Sequence, residues 1–234
     1  MDTQDQLTQV AGVFARLAQD LHAEGSVEET VEAVVQFALG AVGCDHANVV
    51  LRHHGDRLEV VAATDSVTRQ GVLMQLALGE GPCLTAIRHQ VTVSVADTAC
   101  DPRWPDWARQ MAGLGLRSVL SIPLTAGRTI HGALNLVADR PYAFDAEDEA
   151  VADILARHAS VAVASAREEA SLWRAVDARK LIGQAQGILM ERFGIDADQA
   201  FAILRRYSQD NNRKLRDVAA ELVGNRRLPE RRRR

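Results

Sequence analysis

From Ala146 to Ile182 the chain runs for 37 residues without a glycine or a proline. Proline breaks a helix interior and glycine weakens it, so their joint absence dictates one long helix, with Asp145 as its N-cap. Globular helices usually run about 8–20 residues, so this one crosses from one folding unit into another. Leu155, Ala159, Ala162, Ala166, Trp173 and Val176 keep a three-four stagger along it, with Glu169 as the polar exception. Such a small-residue seam allows a partner helix to approach closely, which predicts a homodimer. The alternative, that the alanines pack on the first unit, serves as far as Ala166; Trp173 and Val176 need another cover.

Ahead of the long helix the hydrophobic period changes repeatedly. Leu7, Val10, Phe14, Leu17 and Leu21 form the seam of an amphipathic helix within residues 1–25. Ser26 and Glu29 make an S-x-x-E start for a second helix, whose face carries Val31, Val34, Val35, Ala38 and Leu39. Ala47 to Arg52 and Arg57 to Thr64 read as a β-hairpin turning at His53 to Asp56, while Ser66 to Leu78 fits neither period. Gly79 to Cys83 is a tight turn opening a short helix to about His89, with Pro82 in its first turn. Gln90 to Val95 reads as a strand, and Asp97 to Trp107 as a loop before a short helix that breaks at Gly113 and Gly115. Arg117 to Thr125 and Thr129 to Asp139 form a second hairpin. Turns this short join antiparallel strands, so the expected fold is α+β, an antiparallel sheet with flanking helices.

After the long helix, Gly194 is a stop, and Asp196 with Gln199 gives a capping-box start to a helix over Ala197 to Asp210. Its predicted apolar face is Ala200, Phe201, Ile203, Leu204 and Tyr207. A third helix carries Leu215, Val218, Ala219, Leu222 and Val223, with Asn211 or Asn212 available as its cap. The three would share a core with Leu181, Ile182, Ala185, Ile188, Leu189 and Met190. At about 55 residues such an all-α module is marginal alone.

Charge separates the two parts. Residues 1–167 hold 12 basic and 21 acidic side chains, a net −9, and residues 168–234 hold 15 and 10, a net +5. The excess suggests an effector that meets a polyanion. Six of the positive charges sit at Arg226, Arg227 and Arg231 to Arg234, so a basic tail beside a neutral module is the alternative. No apolar run approaches the length of a membrane span, and Met1 to Asp5 lacks a basic secretion leader, so the expectation is a cytoplasmic protein with no membrane contact. Cys44, Cys83 and Cys100 are odd in number and widely spaced, which predicts reduced thiols rather than a disulfide framework or a metal site.

The run Ile182, Gly183, Gln184, Ala185, Gln186, Gly187, Ile188, Leu189, Met190 is followed at matching spacing by Ala200, Phe201, Leu204, Arg205 and Ser208. Asn212, Lys214, Leu215, Val218 and Ala219 then complete a pattern that resembles the ANTAR domain, over residues 168 to 225. The region 26–166 resembles the GAF domain through the Gly79 to Cys83 turn, the Pro102 to Trp107 loop and the Ser118 to Asp139 hairpin with Phe144, Asp145 and Glu147. The expected organisation is an N-terminal amphipathic helix (1–25), a GAF-like sensor (26–166), an ANTAR-like domain with its helical linker (167–228) and a basic tail (229–234).

The resemblance implies that dimers bind paired RNA stem-loops in a leader transcript and so prevent a terminator from forming, under control of a sensed signal. The residues expected at RNA are Gln184, Gln186, Arg205, Ser208, Asn212, Arg213, Lys214 and Arg216. RNA loops expose bases to stacking and hydrogen bonding, while basic side chains fix phosphates. Each has a blander role open to it: Arg205 snorkelling along the core edge, Ser208 bonding back near Leu204, Asn212 capping a helix, and the cations of 213–216 merely solvated. Gln186 departs from the family, which usually has Lys there.

In the sensor, Cys83, Asp97, Trp104, Trp107, Arg117 and Asn135 are the expected lining of a site for a small molecule of unidentified class. Cys83 at a helix start would feel the helix dipole, which can lower a thiol's pKa. With no resolving cysteine nearby, no enzymatic activity is expected, and neither is a cofactor. His53, His54, His89, His131 and His158 are scattered and predict no metal site. Two other readings stay open: a three-helix head that reads duplex DNA, and a non-catalytic protein-interaction regulator.

Overall fold

The computed structural model describes residues 26–225; the amphipathic helix expected within 1–25 and the basic tail lie outside them. The chain divides into two compact units between Arg167 and Glu168. The first opens with α1 (Val27–Val42), capped by the Ser26 side chain, which accepts from the Glu29 N–H, and closed by Gly43 in the left-handed conformation. Strands β1 (His46–Arg52) and β2 (Leu58–Ala63) form the first expected hairpin. The stretch of unclear period is a helix, α2 (Ser66–Leu78), started by Asp65 accepting from the N–H groups of Val67 and Thr68. Helix α3 (Pro82–His89) follows the glycine turn with Pro82 in its first turn. The strand expected over Gln90 to Val95 is shorter, β3 (Val93–Val95), because Gln90 closes α3 in the left-handed conformation. Helix α4 (Pro105–Gly113) begins earlier than expected, so Trp107 lies in its first turn rather than in a loop. Strands β4 (Ser118–Ala126) and β5 (Thr129–Ala138) make the second hairpin.

The five strands form one sheet in the order β2-β1-β5-β4-β3, antiparallel throughout. Strand side chains alternate between faces. Ala47, Val49 and Leu51 of β1, Leu134 and Leu136 of β5, and Leu120, Ile122 and Leu124 of β4 share one core with Val31, Val34, Val35 and Ala38 of α1. The long helix α5 (Ala146–Phe193) adds Ala152, Leu155, Ala156, Ala159, Ala162 and Val163 to that core. The small seam residues as far as Ala162 therefore pack on the chain's own sheet, and each fully buried Val or Leu contributes about 1.5–3 kcal/mol. On the opposite face Val50, Val60, Val72, Cys83 and Ile87 form one cluster, and Val95, Trp107, Met111, Leu116, Val119 and Val137 another.

Two polar clasps hold the sheet. His46 bridges Asp65 (2.6 Å) and Asp139 (3.0 Å), tying β1 to the cap of α2 and to the end of β5. Arg167 of α5 reaches His131 Nδ1 on β5 (3.2 Å) and donates to the Arg52 carbonyl at the end of β1 (3.1 Å). Burial and the Arg167 charge hold His131 below its ordinary pKa, so the neutral ring serves as acceptor.

The second unit contains the end of α5, α6 (Ala197–Asp210) and α7 (Leu215–Asn225). Gly194 ends α5, its N–H donating to the Met190 carbonyl, and the Asp196–Gln199 capping box is formed reciprocally. Ala185, Leu189, Ala200, Leu204, Val218, Ala219 and Leu222 make the core. Phe201, Ile203 and Met190, expected inside it, are exposed. Nor does either asparagine cap α7. Asn211 closes α6 by donating to the Tyr207 carbonyl, and Asn212 takes a left-handed turn conformation (φ 48°) three residues ahead of the helix.

Candidate functional site

Strand register builds the first candidate site. On the face covered by α2, α3 and α4, Asn135 of β5 lies opposite Asn48 of β1 on one side and Ser121 of β4 on the other. Cross-strand neighbours sit about 5 Å apart at Cβ, so the three form a transverse polar row. The Ser121 hydroxyl donates to Asn135 Oδ1 (2.7 Å), Asn135 Nδ2 to Asn48 Oδ1 (2.8 Å), and Asn48 Nδ2 to Thr68 Oγ1 on α2 (3.1 Å). All four are buried. Gln75, two turns on along α2, accepts from the Cys83 N–H with its Oε1 (2.8 Å). It comes this close because residue 81 is glycine: φ is 131°, and a Cβ there would stand 2.3 Å from Gln75 Oε1.

Asn48, Thr68, Gln75, Trp107 and Asn135 border a cavity of about 10 Å³, completed by Gly71, Val72, Met111, Val119 and Val137. That is room for one water molecule. Trp107 is fully buried, and its indole Nε1–H has no hydrogen-bond partner.

The six expected ligand residues divide. Trp107 and Asn135 line the cavity, and Cys83 is buried beside it in contact with the Asn135 amide. Burial pushes the Cys83 thiol up to about 12, the reverse of the lowering that a helix dipole would bring. Asp97 and Arg117 pair with each other at 2.9 Å, with the Ala99 N–H and then the Arg117 guanidinium holding the carboxyl below its ordinary range. Trp104 packs edge-on against Trp107 (ring centroids 5.9 Å apart) beneath the Arg103 guanidinium. Sequence reasoning missed Asn48, Thr68, Gln75 and Ser121; an asparagine inside the apolar run of β1 was the available signal. A larger groove of about 290 Å³ between β4 and α5 is open to solvent, holds none of the expected residues, and has its Asp153 occupied by the Thr92 hydroxyl.

The second candidate site is on the C-terminal unit. Gln184 is exposed, whereas Gln186 donates to the Ala197 carbonyl at the start of α6 (2.9 Å). Arg205 is exposed and makes no hydrogen bond or ion pair among the described residues; Phe201, one turn earlier on the same face, is 37% exposed. The Ser208 hydroxyl donates to the Arg213 carbonyl rather than back to its own helix, fixing the turn that displays Asn212. Arg213 pairs with Glu221 (2.7 Å) and Arg216 with Asp217 (3.4 Å), while Lys214 is exposed and without such a partner. Arg205 and Lys214 are thus the uncommitted cations of the expected set. Upstream on α5, Leu172 and Trp173 (each 62% exposed) and Val176 (54%) form an uncovered apolar face.

No described helix is long and apolar enough to cross a membrane. Residues 24–164 match the GAF domain family and residues 170–223 the ANTAR domain family. No curated protein matches the chain significantly. Among solved structures, the chain is similar to a domain of a putative two-component sensor histidine kinase from Sinorhizobium meliloti, at 21% identity and TM-score 0.53 over 63% of this chain and 97% of that one. The GAF domain of a phosphoenolpyruvate-protein phosphotransferase from Coxiella burnetii matches at 20% and 0.54, over 69% and 96%. The free methionine-R-sulfoxide reductase from Neisseria meningitidis matches at 16% and 0.55, over 72% and 96%. At these identities the likeness shows the fold alone. With an antiparallel sensor-type sheet in the first unit and a three-helix second unit, each matched by its own family, the chain belongs to the GAF domain family and carries an ANTAR domain behind it.

Proposed function

We propose that this GAF and ANTAR regulator binds paired RNA stem-loops of leader transcripts as a homodimer, favours transcription past a terminator, and is controlled by a small molecule at the buried cavity. One observation carries the RNA reading: an exposed aromatic, Phe201, stands one helical turn before the unpaired guanidinium of Arg205. Aromatic and guanidinium planes are the surfaces on which unstacked RNA bases are read. A merely solvated arginine does not call for an exposed phenylalanine beside it. Lys214 adds an uncommitted cation for phosphate. The uncovered Leu172, Trp173 and Val176 face supports a second copy as its cover.

Cys83 has no nucleophilic part in this reading, since burial pushes its thiol up to about 12. The test is fluorescence anisotropy with a labelled RNA hairpin pair. Arg205→Ala should weaken binding by about 1–3 kcal/mol, and Lys214→Ala should lower the salt slope by about 1. Failure to bind any hairpin overturns the proposal, and equal or tighter binding of the matching duplex DNA replaces it with the DNA-reading alternative.

A further inference from the structure

The buried cavity borders one donor left without a partner, and that donor sets the chemistry of its occupant. Each side-chain oxygen on its wall already accepts one hydrogen bond: Asn48 Oδ1 from Asn135, Thr68 Oγ1 from Asn48, Asn135 Oδ1 from Ser121, and Gln75 Oε1 from the Cys83 backbone. The Cys83 bond also fixes how the Gln75 amide faces, because a backbone N–H can only donate. Gln75 therefore keeps its NH₂ free of the Cys83 bond. The Trp107 Nε1–H is buried without any partner. An indole nitrogen donates and never accepts. The donor left to be met is that indole N–H, and an occupant with an acceptor would meet it.

Two further facts narrow the class. No residue bordering the cavity carries a formal charge, so a buried anion there would lose its hydration with no counter-ion to compensate. The rest of the wall is Gly71, Val72, Met111, Val119 and Val137, which suits small alkyl groups. Met111 is the adjustable side of the box. Its Sδ lies 2.8 Å from where a Cβ on residue 71 would stand, so glycine there is what lets the thioether lie across α2. With three rotatable bonds, methionine can withdraw to admit something larger than water.

We infer that the cavity is a receptor for a small neutral carbonyl compound, whose oxygen accepts from Trp107 Nε1 while its alkyl groups rest on Val72, Val119 and Val137. This rests on reading the GAF domain as the sensory part, and it names the ligand class which that reading leaves open. A ligand of this kind gives the Trp107 Nε1–H an acceptor, which a purely apolar molecule of the same shape cannot do.

The test uses the full chain labelled with ¹⁵N, in which tryptophan occurs only at positions 104, 107 and 173. Trp104→Phe and Trp173→Phe assign two indole resonances and leave Trp107 by elimination, so the buried ring is never altered. Acetone, acetate and 2-methylpropene share one planar shape and differ at the acceptor. Acetone should shift the Trp107 indole proton downfield and saturably, leave Trp104 and Trp173 where they were, and outdo both relatives. The inference is overturned by an absent or non-saturating acetone shift, by an equal response to 2-methylpropene, or by a larger response to acetate. Hairpin binding measured on the same sample is a separate readout: its loss would sink the RNA proposal and leave this one standing, and the converse holds.

Discussion

Replacing Asn135 with leucine is the sharpest perturbation of the sensor unit, because that amide joins three adjacent strands. It accepts from Ser121 at 2.7 Å and donates to Asn48 at 2.8 Å, and all three residues are buried. Leucine has the same branched four-atom shape but is bulkier, so any overpacking adds to the polar cost that follows. A made hydrogen bond is worth about 1 kcal/mol net, and a buried group stranded by its loss costs about 1–3 kcal/mol. The Ser121 hydroxyl can rotate in search of a new acceptor, but the Asn48 oxygen cannot, which gives a total of about 3 kcal/mol. Urea unfolding followed by tryptophan fluorescence in a Trp173→Phe background reports this unit alone, through Trp104 and Trp107. With a slope of about 2 kcal/mol/M, the midpoint should fall by about 1.5 M. Asn48→Leu added to Asn135→Leu should cost less than the two single changes together, by about 1 kcal/mol, since it removes the stranded oxygen. A midpoint that barely moves, or strict additivity, would refute the claim that the row acts as one network.

Three other outcomes are expected. Trp173→Glu should break the proposed dimer, weakening association by about 2 kcal/mol or more, roughly 30-fold, and lowering hairpin affinity with it; sedimentation beside anisotropy checks both, and a monomer that binds unimpaired removes the dimer from the mechanism. Native protein should expose one fast thiol to a disulfide reagent, at the exposed Cys100, while Cys44 and Cys83, both pushed to about 12 by burial, react only on unfolding. For His46, burial alone would push the pKa down, but the bonds to Asp65 and Asp139 outweigh it and raise it above 6.5; Asp65, despite burial, is lowered beneath 3.8 by the Thr68 N–H and His46. The His46 contribution is full below pH 6.5 and is lost as pH rises through its raised value, while that of Asp65 is lost as pH falls through its lowered one. Stability should thus decline as pH rises from 6.5 through the raised His46 value, and His46→Gln should flatten that part of the profile in thermal melts.

Most of the sheet was legible because hairpin turns and period-two runs are local signals, and both hairpins stand where the pattern puts them. Helix α2 was not, for a physical reason. Its inward positions Thr68, Gly71, Val72 and Gln75 keep perfect helical spacing, yet two are polar and one is glycine, so no apolar stripe exists to read. The polar cavity that hides the helix from pattern analysis is the candidate site itself. Asn135 could be singled out as a polar residue in an apolar strand, but its partners are set by register across β1 and β4, which no local signal carries. In the second unit the apolar face was drawn too wide: the narrow core takes Ala200 and Leu204 and leaves Phe201 and Ile203 outside, and the exposed phenylalanine thereby becomes part of the proposed interface.

The Arg167 clasp has a mechanical corollary. Its two anchors, the Arg52 carbonyl and the His131 ring, belong to β1 and β5, the same strands that carry Asn48 and Asn135. Any shear of one strand past the other must lengthen one of the guanidinium's tethers or turn the helical residue that bears it. Held by a carbonyl and an uncharged ring and by no carboxylate among the described residues, this side chain ties the middle of the sheet to α5, the helix that follows its last strand.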